Sequence, residues 1–325
     1  MGDKRTVDAI ILKGEGFLRE GKAEEAIKLY DEAVERHPAS LQLYLARGNA
    51  YFCCRNWRFA CRDYTIAVNL NPGRAETFFS LGLVTFLMNG PETALKCYTR
   101  AIELDPEYAD AYYNRGVVYD EMGLYVTASE DYTKAIELNP EMTAAWNNRG
   151  NDWVDLEEFE NALADFNEVI RLNPDRERAY GNRGYVLQQL GDIEGALADY
   201  AKALEADPED GGTYANRGRL MMQLENYEAA LVDFSELIRL APMSVTAYEL
   251  RAETYTALGN DAAAAEDMKK AEALASRTEP DDEEDSEAPE EDESESDDLS
   301  ADEATSGKNA DPENGADSQV TPSDE

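Results

Sequence analysis

Apolar residues recur at helical spacing over residues 7–278, in stretches of about a dozen residues. Turn residues such as Asn89-Gly90-Pro91 and Gly191-Asp192 separate them. Each neighbouring pair of stretches predicts two amphipathic helices, A and B. The pairs repeat. Prolines fall at 38, 72, 106, 140, 174, 208 and 242, an interval of 34 residues each time. With proline at position 32 of a 34-residue unit, the units begin at 7, 41, 75, 109, 143, 177, 211 and 245. Position 8 is glycine in seven units (Gly14 to Gly218) and Ala252 in the eighth. Position 20 is alanine in all eight, from Ala26 to Ala264. Position 24 is aromatic in seven, from Tyr30 to Phe234, and Met268 in the last. Small residues at 8 and 20 let two helix backbones approach, and the aromatic ring fills the space they leave. Proline ends helix B, because the residue before it avoids the α region. One helix hairpin cannot bury its own apolar face, so neighbouring units must stack.

A unit with these marks resembles the tetratricopeptide repeat, and the resemblance covers residues 7–278. It implies an all-α fold, a right-handed superhelical solenoid of eight 34-residue helix-turn-helix repeats. Their bounds are 7–40, 41–74, 75–108, 109–142, 143–176, 177–210, 211–244 and 245–278. It also implies that helix A of each unit lines a concave groove, chiefly through positions 2, 5, 6, 9, 12 and 13.

One pattern emerges from comparing the units with one another. Position 7 is arginine in six units: Arg47, Arg115, Arg149, Arg183, Arg217 and Arg251. Position 23 is aspartate in the same six: Asp63, Asp131, Asp165, Asp199, Asp233 and Asp267. The other two units lack both, with Lys13 and Leu29 in one and Leu81 and Cys97 in the other. Paired gain and loss predicts a contact between helices A and B, a ladder of structural salt bridges. The alternative, an arginine that serves a ligand, is weakened because its charge is already matched.

The groove positions named by the resemblance divide into two stretches. Units 2 to 4 present Phe52, Phe79, Leu83, Phe86 and Tyr113, an aromatic and apolar patch. Such a stripe also fits a buried core. Units 4 to 7 present Asn114, Asn148, Asn182 and Asn216 at position 6, and unit 5 adds Asn147 and Asn151. A side-chain amide offers donors and an acceptor, so a row of them can hold a peptide backbone without reading its sequence. The row is similar to the asparagine ladder in the repeat region of the O-linked N-acetylglucosamine transferases, which holds extended peptide; the catalytic domain of that family is absent here. The other reading is that these amides face water. The carboxylate clamp of chaperone-binding tetratricopeptide domains is not matched: Asn49 fits its position 9, but Leu45 stands where lysine should be.

Charge narrows the partners. The chain carries 69 acidic and 30 basic residues, a net charge of -39. Phosphates and anionic lipid headgroups are repelled by such a surface, so neither nucleic acid nor a membrane is an expected partner. Residues 279–325 hold 21 acids and one Lys308, without a single aromatic residue. That composition cannot offset chain entropy, so a disordered acidic C-terminal tail is expected beyond a boundary near Arg277.

Other chemistry is thin. Cys53, Cys54, Cys61 and Cys97 show no C-x-x-C spacing and no nearby histidine, so buried free thiols are expected and no metal. His37 beside Pro38 fits a helix end. No phosphate-binding, nucleophile-elbow or dinucleotide fingerprint occurs. The start shows no apolar signal segment, and its Met-Gly-x-x-x-Thr fits the myristoylation pattern poorly because of Asp3. No 18-residue apolar stretch occurs either. The expectation is a cytoplasmic, non-enzymatic scaffold without cofactors. Its partner would be an extended protein or peptide segment, neutral to basic, held along the groove. A holdase for a basic client, working through its acidic tail, is the alternative.

Overall fold

The computed structural model of the chain describes residues 2–174 and 177–276. Among them stand sixteen α-helices and no strand. The first four repeats fold as α1 (Gly2–Arg19) and α2 (Ala23–Arg36), α3 (Leu41–Cys53) and α4 (Trp57–Leu70), α5 (Ala75–Leu87) and α6 (Pro91–Leu104), then α7 (Ala109–Glu121) and α8 (Tyr125–Leu138). The next four are α9 (Thr143–Asp155) and α10 (Phe159–Leu172), α11 (Glu177–Gln189) and α12 (Ile193–Ala206), α13 (Gly211–Gln223) and α14 (Tyr227–Leu240), then α15 (Val245–Ala257) and α16 (Asp261–Ala275). The expected acidic tail lies outside the described residues.

The chain divides into two compact units, Met1–Asn216 and Arg217–Glu325, so the division falls inside α13. In the first unit each helix packs on the next in sequence, and A helices also touch directly, α5 on α7, α7 on α9 and α9 on α11. That contact sets their side chains in a row along one face. In the second unit α14 packs on α15, and α15 on α16.

The core of each hairpin is a knob on a flat. Helix B turns positions 20, 23, 24 and 27 inward, as Ala60, Asp63, Tyr64 and Ala67 on α4. The ring at position 24 lies directly on the glycine at position 8 of helix A. A methyl group on Gly48 would stand 2.7 Å from the Tyr64 ring, and one on Gly218 2.5 Å from the Phe234 ring. Carbon atoms sit best about 3.5–4.0 Å apart, so a side chain there would force the ring out. The eighth repeat changes both partners together, to Ala252 and Met268.

Each A–B turn needs one residue with left-handed backbone. It is always position 15: Gly21, Gly123, Gly191 and Gly259, but also Arg55, Asn89, Glu157 and Glu225. The turn is closed by backbone bonds such as Gly123 N–H to Asp120 C=O at 2.8 Å and Leu124 N–H to Tyr119 C=O at 2.9 Å. Helix B stops just before its proline: Asn71 and Asp105 adopt extended backbone ahead of Pro72 and Pro106.

Candidate functional site

The arginines at position 7 run along the side of helix A that faces helix B. Arg149 Nε and Nη2 donate to Asp165 at 2.8 and 2.7 Å. Arg47, Arg115, Arg183, Arg217 and Arg251 reach Asp63, Asp131, Asp199, Asp233 and Asp267 in the same forked manner. The carboxylates are buried and the guanidinium groups nearly so. Burial raises the pKa of Asp165, and the bonds from Arg149 and the Trp153 indole only partly oppose it.

Five of these six arginines make a further contact that the pairing of positions 7 and 23 did not predict. Their remaining Nη1 crosses to helix B of the preceding repeat: Arg47 to Asp31 at 2.8 Å, Arg115 to Thr99 at 3.2 Å, Arg149 to Thr133 at 2.9 Å, Arg183 to Asn167 at 2.8 Å and Arg251 to Ser235 at 3.3 Å. Each acceptor is position 25. The guanidinium also lies over the aromatic ring at position 4 of its own helix, 4.9 Å from the ring centre for Arg149 on Trp146. So position 7 ties a hairpin together and ties it to the one before.

The asparagines lie on the opposite side of helix A, where they are half-buried. Their amides are not simply presented to solvent. Asn114 donates to the backbone carbonyl of Asp110 on its own helix at 2.8 Å. Asn148 reaches the hydroxyls of Tyr113 and Tyr132 at 3.4 and 3.5 Å, and Asn147 leans on Asn148 at 3.4 Å. Asn182 crosses one repeat to Asn151 at 3.2 Å. Asn216 is half-buried at the end of the first unit. Bonds of 3.2 to 3.5 Å are long and exchange readily for better partners.

The aromatic patch serves core and surface together. Phe79 packs its ring on Tyr98 and Tyr108, at 5.8 and 5.0 Å between centres, yet remains half-exposed. Phe52 meets Trp57 edge-on, and Leu83 and Phe86 lie against Tyr98 and Val118. Phe86, Leu87, Val118 and Met122 frame a dimple of ≈ 310 Å³ with Glu121 on its rim. Burial raises the Glu121 pKa, with Asp120 beside it adding to the effect, and burial alone raises that of Asp110.

The expectation of buried thiols needs correcting. Cys53 and Cys54 are exposed, because they form the last turn of α3, and Cys61 is half-exposed. Cys97 alone is buried, in the place of a position-23 aspartate, and burial pushes its pKa up to about 11. Among the described residues no group of three or more metal-ligating side chains comes together, and no helix is long and apolar enough to cross a membrane. His37 caps the C-terminal end of α2.

Three family models match the chain. One described as TPR repeat matches residues 92–123. Two described as tetratricopeptide repeat match 109–142, 143–176 and 177–210, and 11–52 and 216–277. The chain belongs to the tetratricopeptide repeat family. Among solved structures it is similar to YrrB, described as a tetratricopeptide repeat protein with an unusual peptide-binding site: 29% identity, TM-score 0.51, covering 57% of this chain and 95% of that one. It is also similar to the C-terminal part of a repeat-containing protein from Cytophaga hutchinsonii (16% identity, TM-score 0.61, 74% of this chain and 98% of that one). A chain of the APC/C hetero-tetramer Cut9–Hcn1 matches at 17% identity and TM-score 0.57, over 76% of this chain and 49% of that one. The last two share the fold alone. No curated protein matches the sequence. Tetratricopeptide repeats are in general non-enzymatic units of protein interaction, and this chain has their solenoid fold.

Proposed function

We propose that this tetratricopeptide protein is a non-enzymatic, cytoplasmic scaffold whose repeats, 7–278, hold an extended protein segment along the concave side formed by the A helices. The carrying observation is the row of amides on α7, α9 and α11, set beside the half-exposed aromatic patch of α5 and α7. The peptide-binding site described for YrrB supports this reading. Neighbouring A helices at about 10 Å put the four asparagines from Asn114 to Asn216 over about 30 Å. An extended chain covers about 3.3 Å per residue, so the row matches roughly nine residues. The amides release their long mutual bonds and take up backbone groups instead. Choice of sequence falls to the dimple beside Phe86, which suits an apolar side chain, and to Asp110 and Glu121, which suit a neighbouring cation.

Titration with labelled nine-residue peptides, apolar-basic and acidic, tests this at two salt concentrations. The apolar-basic set should bind, more weakly as salt rises. Asn148→Ala with Asn182→Ala should weaken every bound peptide about equally, whereas Phe79→Ala should change which is preferred. If the folded double variant bound all of them as well as the parent, the A-helix side would not be the site.

A further inference from the structure

Repeat five differs from its neighbours on the side of α9 turned away from the asparagines. Positions 4 and 11 are both tryptophan, Trp146 and Trp153, and position 22 on the facing helix is the exposed Ala164. Position 22 is long in five other repeats, as in Lys28, Arg62, Lys96, Glu130 and Glu266, and short in repeats six and seven, with Ala198 and Val232, so the pair of tryptophans is what sets repeat five apart. The short residue leaves a crevice of ≈ 680 Å³ between α9 and α10, walled by the two indoles, Arg149, Asp165, Asn161 and Asn167. That volume lies in the range of ordinary ligand sites, about 300–1,000 Å³.

The hydrogen-bond groups of its walls say what would fit. Charge is already matched: Arg149 is spent on Asp165 and Thr133, and the neighbouring Glu168 on Arg171 at 2.7 Å. The Trp146 indole N–H is spent too, on the Pro140 carbonyl at 2.9 Å, while that of Trp153 is turned toward Asp165 and helps to lower its pKa. The Asn167 carbonyl oxygen accepts from Arg183 at 2.8 Å, which leaves its NH₂ facing outward as a donor. Asn161 is exposed on the rim of the crevice. What remains is aromatic surface, a methyl group and amide donors. An occupant should be uncharged, carry apolar rings, and bring acceptors rather than donors. Proline meets all three demands: its ring packs on indole, its preceding amide carbonyl accepts, and it has no N–H. A sugar would bring hydroxyl donors with few acceptors left to receive them.

We propose that this crevice is a second binding site, separate from the asparagine side, for a neutral proline-rich segment in extended left-handed conformation. Tryptophan emission reads it directly, because the chain has three tryptophans and two line the crevice. In a Trp57→Phe background, titration with a ten-proline peptide should change the emission saturably, and a glycine-serine peptide of equal length should not. Ala164→Arg places in the crevice the residue that repeat two carries at the same position, and should weaken binding at least about tenfold. Asn161→Ala removes an exposed amide of the crevice, and should weaken it several-fold. Asn148→Ala with Asn182→Ala should leave this affinity unchanged. No saturable response to the proline peptide would overturn the proposal. So would equal affinity in the Ala164→Arg protein, or a response to maltohexaose in place of proline.

Discussion

Arg149 touches Asp165 on α10 and Thr133 on α8, so losing it frees two helices and strands a carboxylate whose side chain is only 3% exposed. Arg149→Ala should therefore lower stability by about 3 kcal/mol, nearer the buried than the exposed range for ion pairs. Urea unfolding of the single and double variants with Asp165→Ala checks this. We expect a coupling of more than about 1 kcal/mol, and a coupling of zero would show the pair to be idle. The arginine–aspartate pairing was legible in the sequence because both residues come and go together. The second leg was not: its acceptors are Asp31, Thr99, Thr133, Asn167 and Ser235, an oxygen atom in a fixed place rather than a residue type. Nor does sequence say which way an amide turns, since Asn114 bonds to its own helix and Asn182 to the preceding repeat.

The A–B turn shows the same limit at the scale of the element. Helix number, order and period follow from steric marks repeated along the chain, the glycine under an aromatic ring and the proline after helix B. The left-handed residue is equally regular in space, but Arg55, Glu157 and Glu225 give no sign of it. A non-glycine residue there costs about 1 kcal/mol, partly balanced by the extra freedom glycine has when unfolded. Glu157→Gly should thus stabilise by about 0.5 kcal/mol, and Gly123→Glu should destabilise by about as much. Thermal melts of the two variants test the pair of signs. If Glu157→Gly melted lower, the glutamate would have to be held by something other than its backbone.

For the whole molecule, the balance of 69 acids against 30 bases bears on how binding responds to solution conditions. Burial raises the pKa of both Asp110 and Glu121, so each takes up its proton at a higher pH than an ordinary carboxyl. A cation bound there needs them ionised. Affinity for an apolar-basic peptide should hold near pH 7 and fall as pH drops, at a higher pH than ordinary carboxylates would give. Glu121→Gln should flatten that fall. Deleting residues 279–325 should leave the peptide affinity in place, because the contacts lie in the repeats. Loss of all binding on deletion would favour the holdase reading, in which charge at long range does the holding.

Repeat three breaks the arginine series, with Leu81 and Cys97 where its neighbours have the ion pair. Thr65 stands where an arginine of repeat three would have reached back, and like Thr133 it donates to a carbonyl of its own helix, that of Cys61, at 2.8 Å. Elsewhere in the first unit a guanidinium fastens α2 to α4, α6 to α8, α8 to α10 and α10 to α12; between α4 and α6 that fastening is missing. A stack whose neighbours are joined unequally should come apart where the joint is weakest. Amide hydrogen exchange would then reveal two cooperative blocks, repeats one and two opening as one, repeats three to six as another, with the seam at the pair of apolar side chains that replaced a charge.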